Sequence, residues 1–209
     1  MTDQQALARK TRKELLCEWR HHEILEAARR VFARLSYASA NVEEIAQEAG
    51  VAKGTVYLYF KSKEEIFAAV LGHDLEVLTD KTIAAMSTAR TFADRLSVFL
   101  ELRLAYLQHN KDFLSIYLAE FGSRGSRSKL ISEVIDKLFW RGFDCMHRCL
   151  EQAIADGEIR EIPIEPAAFA IFDLARGFAE RHLRGWAHLS MEEDVAFTHS
   201  LILKGLQNR

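Results

Sequence analysis

Two prolines and ten glycines in 209 residues are too few for a sheet protein, whose many turns are usually built from those residues. Both prolines fall late, at Pro163 and Pro166, and no segment alternates apolar and polar residues over the length of a strand. The three cysteines, Cys17, Cys145 and Cys149, are odd in number and too few for a disulfide scaffold, which points to a reducing, cytoplasmic setting. Long apolar runs are also missing. The longest, residues 66–71 and 167–172, fall far short of the roughly 20 residues that span a bilayer. The N-terminus carries charges where a signal peptide needs an apolar core. With no Gly-rich phosphate loop, nucleophile elbow or metal-ligand motif, neither an enzyme nor a cofactor- or metal-dependent protein is expected. A net charge of -2 rules out a basic coat over the whole molecule, though not a basic face.

What is present is helical periodicity. Hydrophobic residues make up 49% of the chain, ample for a buried core. Ile24, Leu25, Ala28, Val31, Phe32 and Leu35 recur at three- and four-residue steps and predict a helix over 19–35. Asn41 with Glu44, Ser62 with Glu65 and Ser190 with Glu193 have capping-box spacing. The chain thus reads as all-α with about nine helices: 19–35, 42–49, 53–60, one opening after Ser62, then 92–109, 111–121, 129–155, 165–187 and 191–206. The Gly- and Ser-rich segment 122–128 is the one obvious flexible connection.

Two of these helices are short and are joined by Ala49-Gly50-Val51-Ala52, the proportions of a helix-turn-helix over 41–60. Gly50 lets the chain reverse without a Cβ clash. Ile45, Val51, Val56 and Phe60 pack the second helix inward, leaving Lys53, Gly54, Thr55, Tyr57, Leu58 and Tyr59 to face outward. An ammonium, a hydroxyl and phenols suit phosphate oxygens, and glycine permits close backbone approach. Lys61 and Lys63 open the next helix, where the N-terminal dipole adds to their charge. Residues 1–63 hold 11 Lys or Arg against 8 Asp or Glu, net +3, and the rest holds 17 against 22, net -5. The basic end is therefore the DNA end. Arg9, Lys10, Arg12 and Lys13 read either as a solvated terminus or as an arm touching DNA.

The block NVEEIAQEAGVAKGTVYLYFKSKEE, residues 41–65, closely resembles the signature of TetR/AcrR-type repressors, with Phe32 and Tyr37 matching upstream. The resemblance covers about residues 20–71 and departs at four places, one of them at Ala40 and Asn41, near which the family usually has hydroxyl residues. Ser36 stands where the family usually has glycine, Ala52 where it usually has serine, and Leu58 where polar residues are common. It implies a three-helix DNA-binding head over 1–66, carrying Asn41, Lys53, Gly54, Thr55, Tyr57, Leu58, Tyr59 and Lys63 as DNA-binding residues. It further implies an effector-binding and dimerisation domain over 67–209, and thus a homodimeric, ligand-released repressor on a palindromic operator. The alternative is a small-molecule-binding protein or enzyme on the same fold that does not read DNA.

In the larger part, aromatics concentrate in the middle helices. Arg103, Tyr106, Tyr117, Phe121, Phe143, His147 and Arg176 are the candidate effector-binding residues, and their mix suits an aromatic or fatty effector with an acidic group. Ile171, Phe172, Ala175, Phe178, Ala179, Leu183 and Trp186 form one apolar band, and Val195, Thr198, Leu201 and Ile202 a second. Together they are the candidate dimer interface of a four-helix arrangement. Cys145 and Cys149 share a helical face, but two thiolates only half fill a tetrahedral zinc site, and His147 lies about 200° around the helix from Cys145. Both cysteines read as small buried hydrophobes.

Overall fold

The computed structural model describes residues 11–121 and 128–207, the side chains of residues 119–121 excepted. Arg9 and Lys10 of the candidate arm, most of the 122–128 connection and the side chain of Phe121 lie outside the described residues. Among the described residues there are eight helices and no strand: α1 (Arg12–Ser39), α2 (Val42–Glu48), α3 (Lys53–Tyr59), α4 (Lys63–Thr88), α5 (Phe92–Phe121), α6 (Lys129–Ala155), α7 (Ile164–Leu183) and α8 (Met191–Leu206). They fall into two compact units, one ending at Val70 and the other beginning at Leu71.

The N-terminal unit is built on α1. This helix starts earlier than its apolar stripe because Thr11 and Glu14 form a capping box, the Thr11 amide donating to Glu14 Oε2 at 2.6 Å. The stripe Ile24, Leu25, Ala28, Val31 and Phe32 is buried, as are Ile45 and Ala46 of α2, Val56 of α3, Phe60, and Ile66 and Phe67 of α4. Phe67 takes Phe32 and Tyr37 edge-on, each at 5.2 Å between ring centres.

The expected break near Ser36 is a single-residue fault within α1, Ser36 having φ 66° and ψ 167° before the chain makes one more turn to Ser39. Backbone in that region is open to glycine and costs other residues about 1–3 kcal/mol. The turn after α2 has no such conflict, since Gly50 itself supplies the positive φ of 64°.

In the second unit α5, α6, α7 and α8 enclose a core that includes Leu96, Phe99, Leu107, Met146, Leu150, Ile171 and Phe172. The two helices expected at 92–109 and 111–121 are one helix here, which lowers the count from nine to eight. Asn110, at φ -122°, bends α5 without ending it, and its side-chain amide donates to the Tyr106 carbonyl at 2.9 Å, reclaiming an acceptor the bend releases. Helix α7 stops before the expected position 187 because Gly185 takes φ 72°. A buried carboxylate, Asp194, ties α8 to the end of α7, with Arg181 at 3.0 Å and His182 at 2.9 Å. Helices α4 and α6 approach closely at Gly72, where a Cβ would stand 2.9 Å from a Val134 methyl.

Ser36 yields a stability test. Glycine there removes about 1–3 kcal/mol of strain and adds about 0.5–1 kcal/mol of chain entropy to be lost, so Ser36→Gly should stabilise the protein by about 1 kcal/mol. Chemical denaturation measures it, and an unchanged or lower midpoint contradicts the strained geometry.

Candidate nucleic-acid interface and ligand cavity

Helix α3 is seven residues long, with Val56 alone fully buried and Thr55 and Tyr59 half-buried. Lys53, Gly54, Tyr57 and Leu58 are exposed, Leu58 at 83% of its surface. Four of the six outward residues expected from the sequence thus share an open face, and nothing lies within 4 Å of where a Gly54 Cβ would be. Tyr59 is turned back: its hydroxyl hydrogen-bonds with the Cys17 thiol, an interaction that raises the phenol's pKa, and its ring stands 6.2 Å from that of His21. The Lys53 ammonium lies 3.3 Å from the exposed Glu43 carboxylate, a contact that solvent weakens. Ala52 caps α3 with no side-chain hydrogen bond, as the missing serine hydroxyl implied.

Asn41 and Lys63 hold the scaffold. The Asn41 side-chain oxygen accepts from the Glu43 and Glu44 amides at 2.9 and 3.0 Å, and the Glu44 carboxylate accepts from the Asn41 amide. The Lys63 ammonium donates to the carbonyls of Tyr37, Ala38 and Ala40 at 2.7, 3.3 and 2.9 Å and lies 4.5 Å from the centre of the Tyr37 ring. Its charge therefore sits at the C-terminal end of α1, where the carbonyls carry the helix's partial negative charge. Glu48 is pinned beneath Arg30 and Arg34, at 2.8 and 3.3 Å, and these two guanidinium groups hold its carboxyl below the usual range.

The second unit contains a cavity of about 520 Å³ between α5 and α7. Arg103, Tyr106, Tyr117 and Arg176, four of the expected effector residues, line it, with Leu107, Leu114, Leu118 and Glu180 beside them. Phe143 and His147 are elsewhere. Phe143 packs with Phe139, Trp140 and Phe169 in an aromatic cluster, and His147 stands 3.5 Å from Glu151 on the exposed side of α6. Phe172, Ala175, Ala179 and Leu183, expected in the dimer band, complete the cavity wall. The α7 band is broad enough to serve two faces, so periodicity alone could not separate cavity from interface.

Ile171, Phe178, Val195, Thr198 and Ile202 are buried within the chain's own fold, while Trp186 and Leu201 are open, with Leu174 and Phe197 also exposed. Arg103 is distinctive among the cavity residues. Its guanidinium lies 3.5 Å from the Phe99 ring centre and 5.1 Å from that of Phe172, and burial lowers its pKa to about 9. Cys145 and Cys149 hydrogen-bond with one another. That bond lowers the Cys145 thiol to about 7, with Arg148 and Arg95 acting in the same direction, while the bond and burial raise Cys149. Among the described residues no three His, Cys, Asp or Glu side chains are grouped to hold a metal.

Comparison with known proteins bears on both regions. Residues 24–70 match the family described as bacterial regulatory proteins, tetR family. Over 196 residues the chain is 26% identical to the fatty acid metabolism regulator protein of Bacillus subtilis, covering 91% of this chain and 97% of that one. The HTH-type transcriptional activator FasR of Mycolicibacterium smegmatis is 33% identical over 91 residues, 44% of this chain and 42% of its own length. A solved structure of the transcriptional regulator FadR from Bacillus subtilis in complex with stearoyl-CoA shares the fold at TM-score 0.76 and 22% identity, over 88% of this chain and 98% of that chain.

The open space at Gly54 separates folding from binding. Gly54→Ala meets no protein atom and gains up to about 1 kcal/mol of helix propensity, so the head should be as stable or more so. The added methyl nevertheless stands on the open face of α3, and DNA bound through that face would be held about fivefold to tenfold more weakly. Parallel melting and DNA titration measure the split, and unchanged affinity contradicts close approach at this position.

Proposed function

We propose that this chain, whose residues 24–70 match the tetR family of bacterial regulatory proteins, is a DNA-binding transcriptional regulator of that family, a non-enzymatic repressor released from its operator by a fatty small molecule. The open face of α3 carries this reading. A helix of two turns does not survive in water by itself, and here it is held by one buried side while Lys53, Gly54, Tyr57 and Leu58 are left to solvent. Phenol and ammonium groups meet phosphate oxygens, the glycine lets the backbone come close, and the Leu58 side chain is suited to apolar contact such as a thymine methyl. In this reading Lys63 and Asn41 act on DNA through the posture of the head, Lys63 by bracing α1 and Asn41 by starting α2. A role on chromosomal DNA supports a cytoplasmic setting, and no helix among the described residues is long and apolar enough to cross a membrane.

Two such heads read a palindrome whose half-sites lie about 34–36 Å apart or a multiple of that. The dimer forms through α7 and α8, where Leu174, Phe197 and Leu201 expose 40%, 59% and 49% of their surface. Large apolar side chains left open on adjacent helices are what a self-complementary interface covers. The effector occupies the cavity between α5 and α7. Its volume lies within the range of small-molecule sites, and its mostly apolar wall agrees with the fatty acid metabolism named in the relatives. Filling it shifts the population of dimers away from the one whose heads match the half-sites.

A mobility shift with the DNA upstream of the chain's own gene tests the function. A complex that forms and then dissociates when a long-chain acyl compound is added supports the reading, and a complex indifferent to such compounds removes the effector from it. The dimer surface is tested separately. Phe197→Glu with Leu201→Glu should convert the dimer to monomers by light scattering while circular dichroism stays helical, and a persistent dimer contradicts the α7–α8 interface.

A further inference from the structure

The ligand cavity contains one cation that is left uncompensated among the described residues. Arg176 is paired with Asp173 at 2.8 Å, and Glu180 with Arg184 at the same distance. Arg103 has no carboxylate partner among the described residues. A guanidinium has five N–H donors, and the hydrogen bond it makes among these residues runs to the Phe99 carbonyl, 3.3 Å away on its own helix. The Phe99 and Phe172 rings favour the charge but offer no acceptor in the plane of the fork. Burial lowers its pKa to about 9, so the group stays charged at neutral pH while bearing the cost of desolvation. A half-buried charge without a carboxylate partner still bears part of that cost, and a ligand that brings the partner recovers it as affinity.

We propose that Arg103 is the anion receptor of this cavity and that the effector is an elongated amphiphile held there by a free carboxylate. The inference rests on reading the cavity as the effector site and says which chemical form of a fatty ligand it takes. Shape supports the elongated form. The lining runs along α5 from Arg103 to Leu118 and along α7 from Phe172 to Leu183, the latter span being about 16 Å at 1.5 Å per residue. Arg103 lies against Phe172, so the cation stands at one end of the lining, with Leu107, Leu114, Ala175, Ala179 and Leu183 along the remainder. Charge supports the carboxylate. Its two oxygens match the guanidinium fork, whereas an ester or thioester carbonyl is neutral and cannot neutralise it. The phosphates of a coenzyme A thioester would need several cations, and the other cation on this wall, Arg176, already faces Asp173.

The test is calorimetric binding to the full-length protein, stripped of lipid, with three probes: hexadecanoate, its methyl ester and its coenzyme A thioester. Wild type should bind the acid most tightly. Arg103→Gln should lose about 10- to 100-fold in acid affinity, the worth of a charge-assisted hydrogen bond, with little change for the ester. Arg103→Lys keeps the charge without the fork and should recover part of the loss, which a merely structural role would not produce. Should the Gln variant fail to fold, the Lys variant and the acid-to-ester ratio in wild type still decide. Equal affinity for acid and ester, or a thioester bound more tightly than the acid and unaffected by either substitution, overturns the proposal while leaving a fatty effector in place. Binding of none of the three overturns the fatty effector as well.

Discussion

A helix of seven residues cannot hold itself together in water, and the rest of the head is arranged around that constraint. Nucleation of so short a helix is unfavourable, so α3 persists because Val56 and the following Phe60 are buried with the stripe of α1 and with α2. The packing works only if α1 and α2 keep their relation. The Lys63 ammonium helps to keep it, donating to three carbonyls where α1 gives way to α2, while the reciprocal Asn41–Glu44 cap fixes the first turn of α2. Polar contacts at the edge thus complete what apolar burial begins. The outward side of α3 is then left with residues that no folding requirement explains.

Ser36 shows that this head tolerates strain. Its backbone lies where glycine is at ease, between the buried stripe of α1 and the turn whose carbonyls Lys63 holds. The three-carbonyl contact and the Tyr37 ring beneath the same ammonium overdetermine that turn, which is how a residue in an unfavourable region can persist. In the second unit the opposite economy holds. Asp194 is buried, yet each of its oxygens has a basic partner, so the α7–α8 corner carries a charge without an orphan. Arg103 differs from it in having no carboxylate partner among the described residues.

Much of the architecture was readable from local signals. The capping boxes at Asn41 and Ser190 and the positive φ at Gly50 follow from side-chain chemistry within a few residues of each site, and each is present. The outward residues of α3 were readable for the same reason, since a short amphipathic helix has one buried side and one open one. The exceptions have long-range causes. Tyr59 turns towards Cys17, forty-two positions away, and Lys63 towards carbonyls more than twenty residues earlier, contacts that no periodicity encodes. In the second unit α7 is apolar around much of its circumference, and Ala175 and Ala179, expected at the interface, line the cavity. Phe143 and His147 were drawn in by aromatic density, which describes core as readily as pocket. The two expected helices are joined in α5 through a bend at Asn110, whose side-chain amide reaches the Tyr106 carbonyl.

The central claim is that α3 is a preformed reading element, built before DNA arrives and covered when it does. Amide hydrogen exchange over residues 53–59 of the full-length protein, with and without DNA from upstream of its gene, addresses both halves at once. The account predicts that α3 amides are protected in the free protein as well as those of α2, and that adding the DNA slows them further while leaving α8 unchanged. Exchange at the rate of an unfolded peptide in the free protein, or no slowing on DNA, would contradict it.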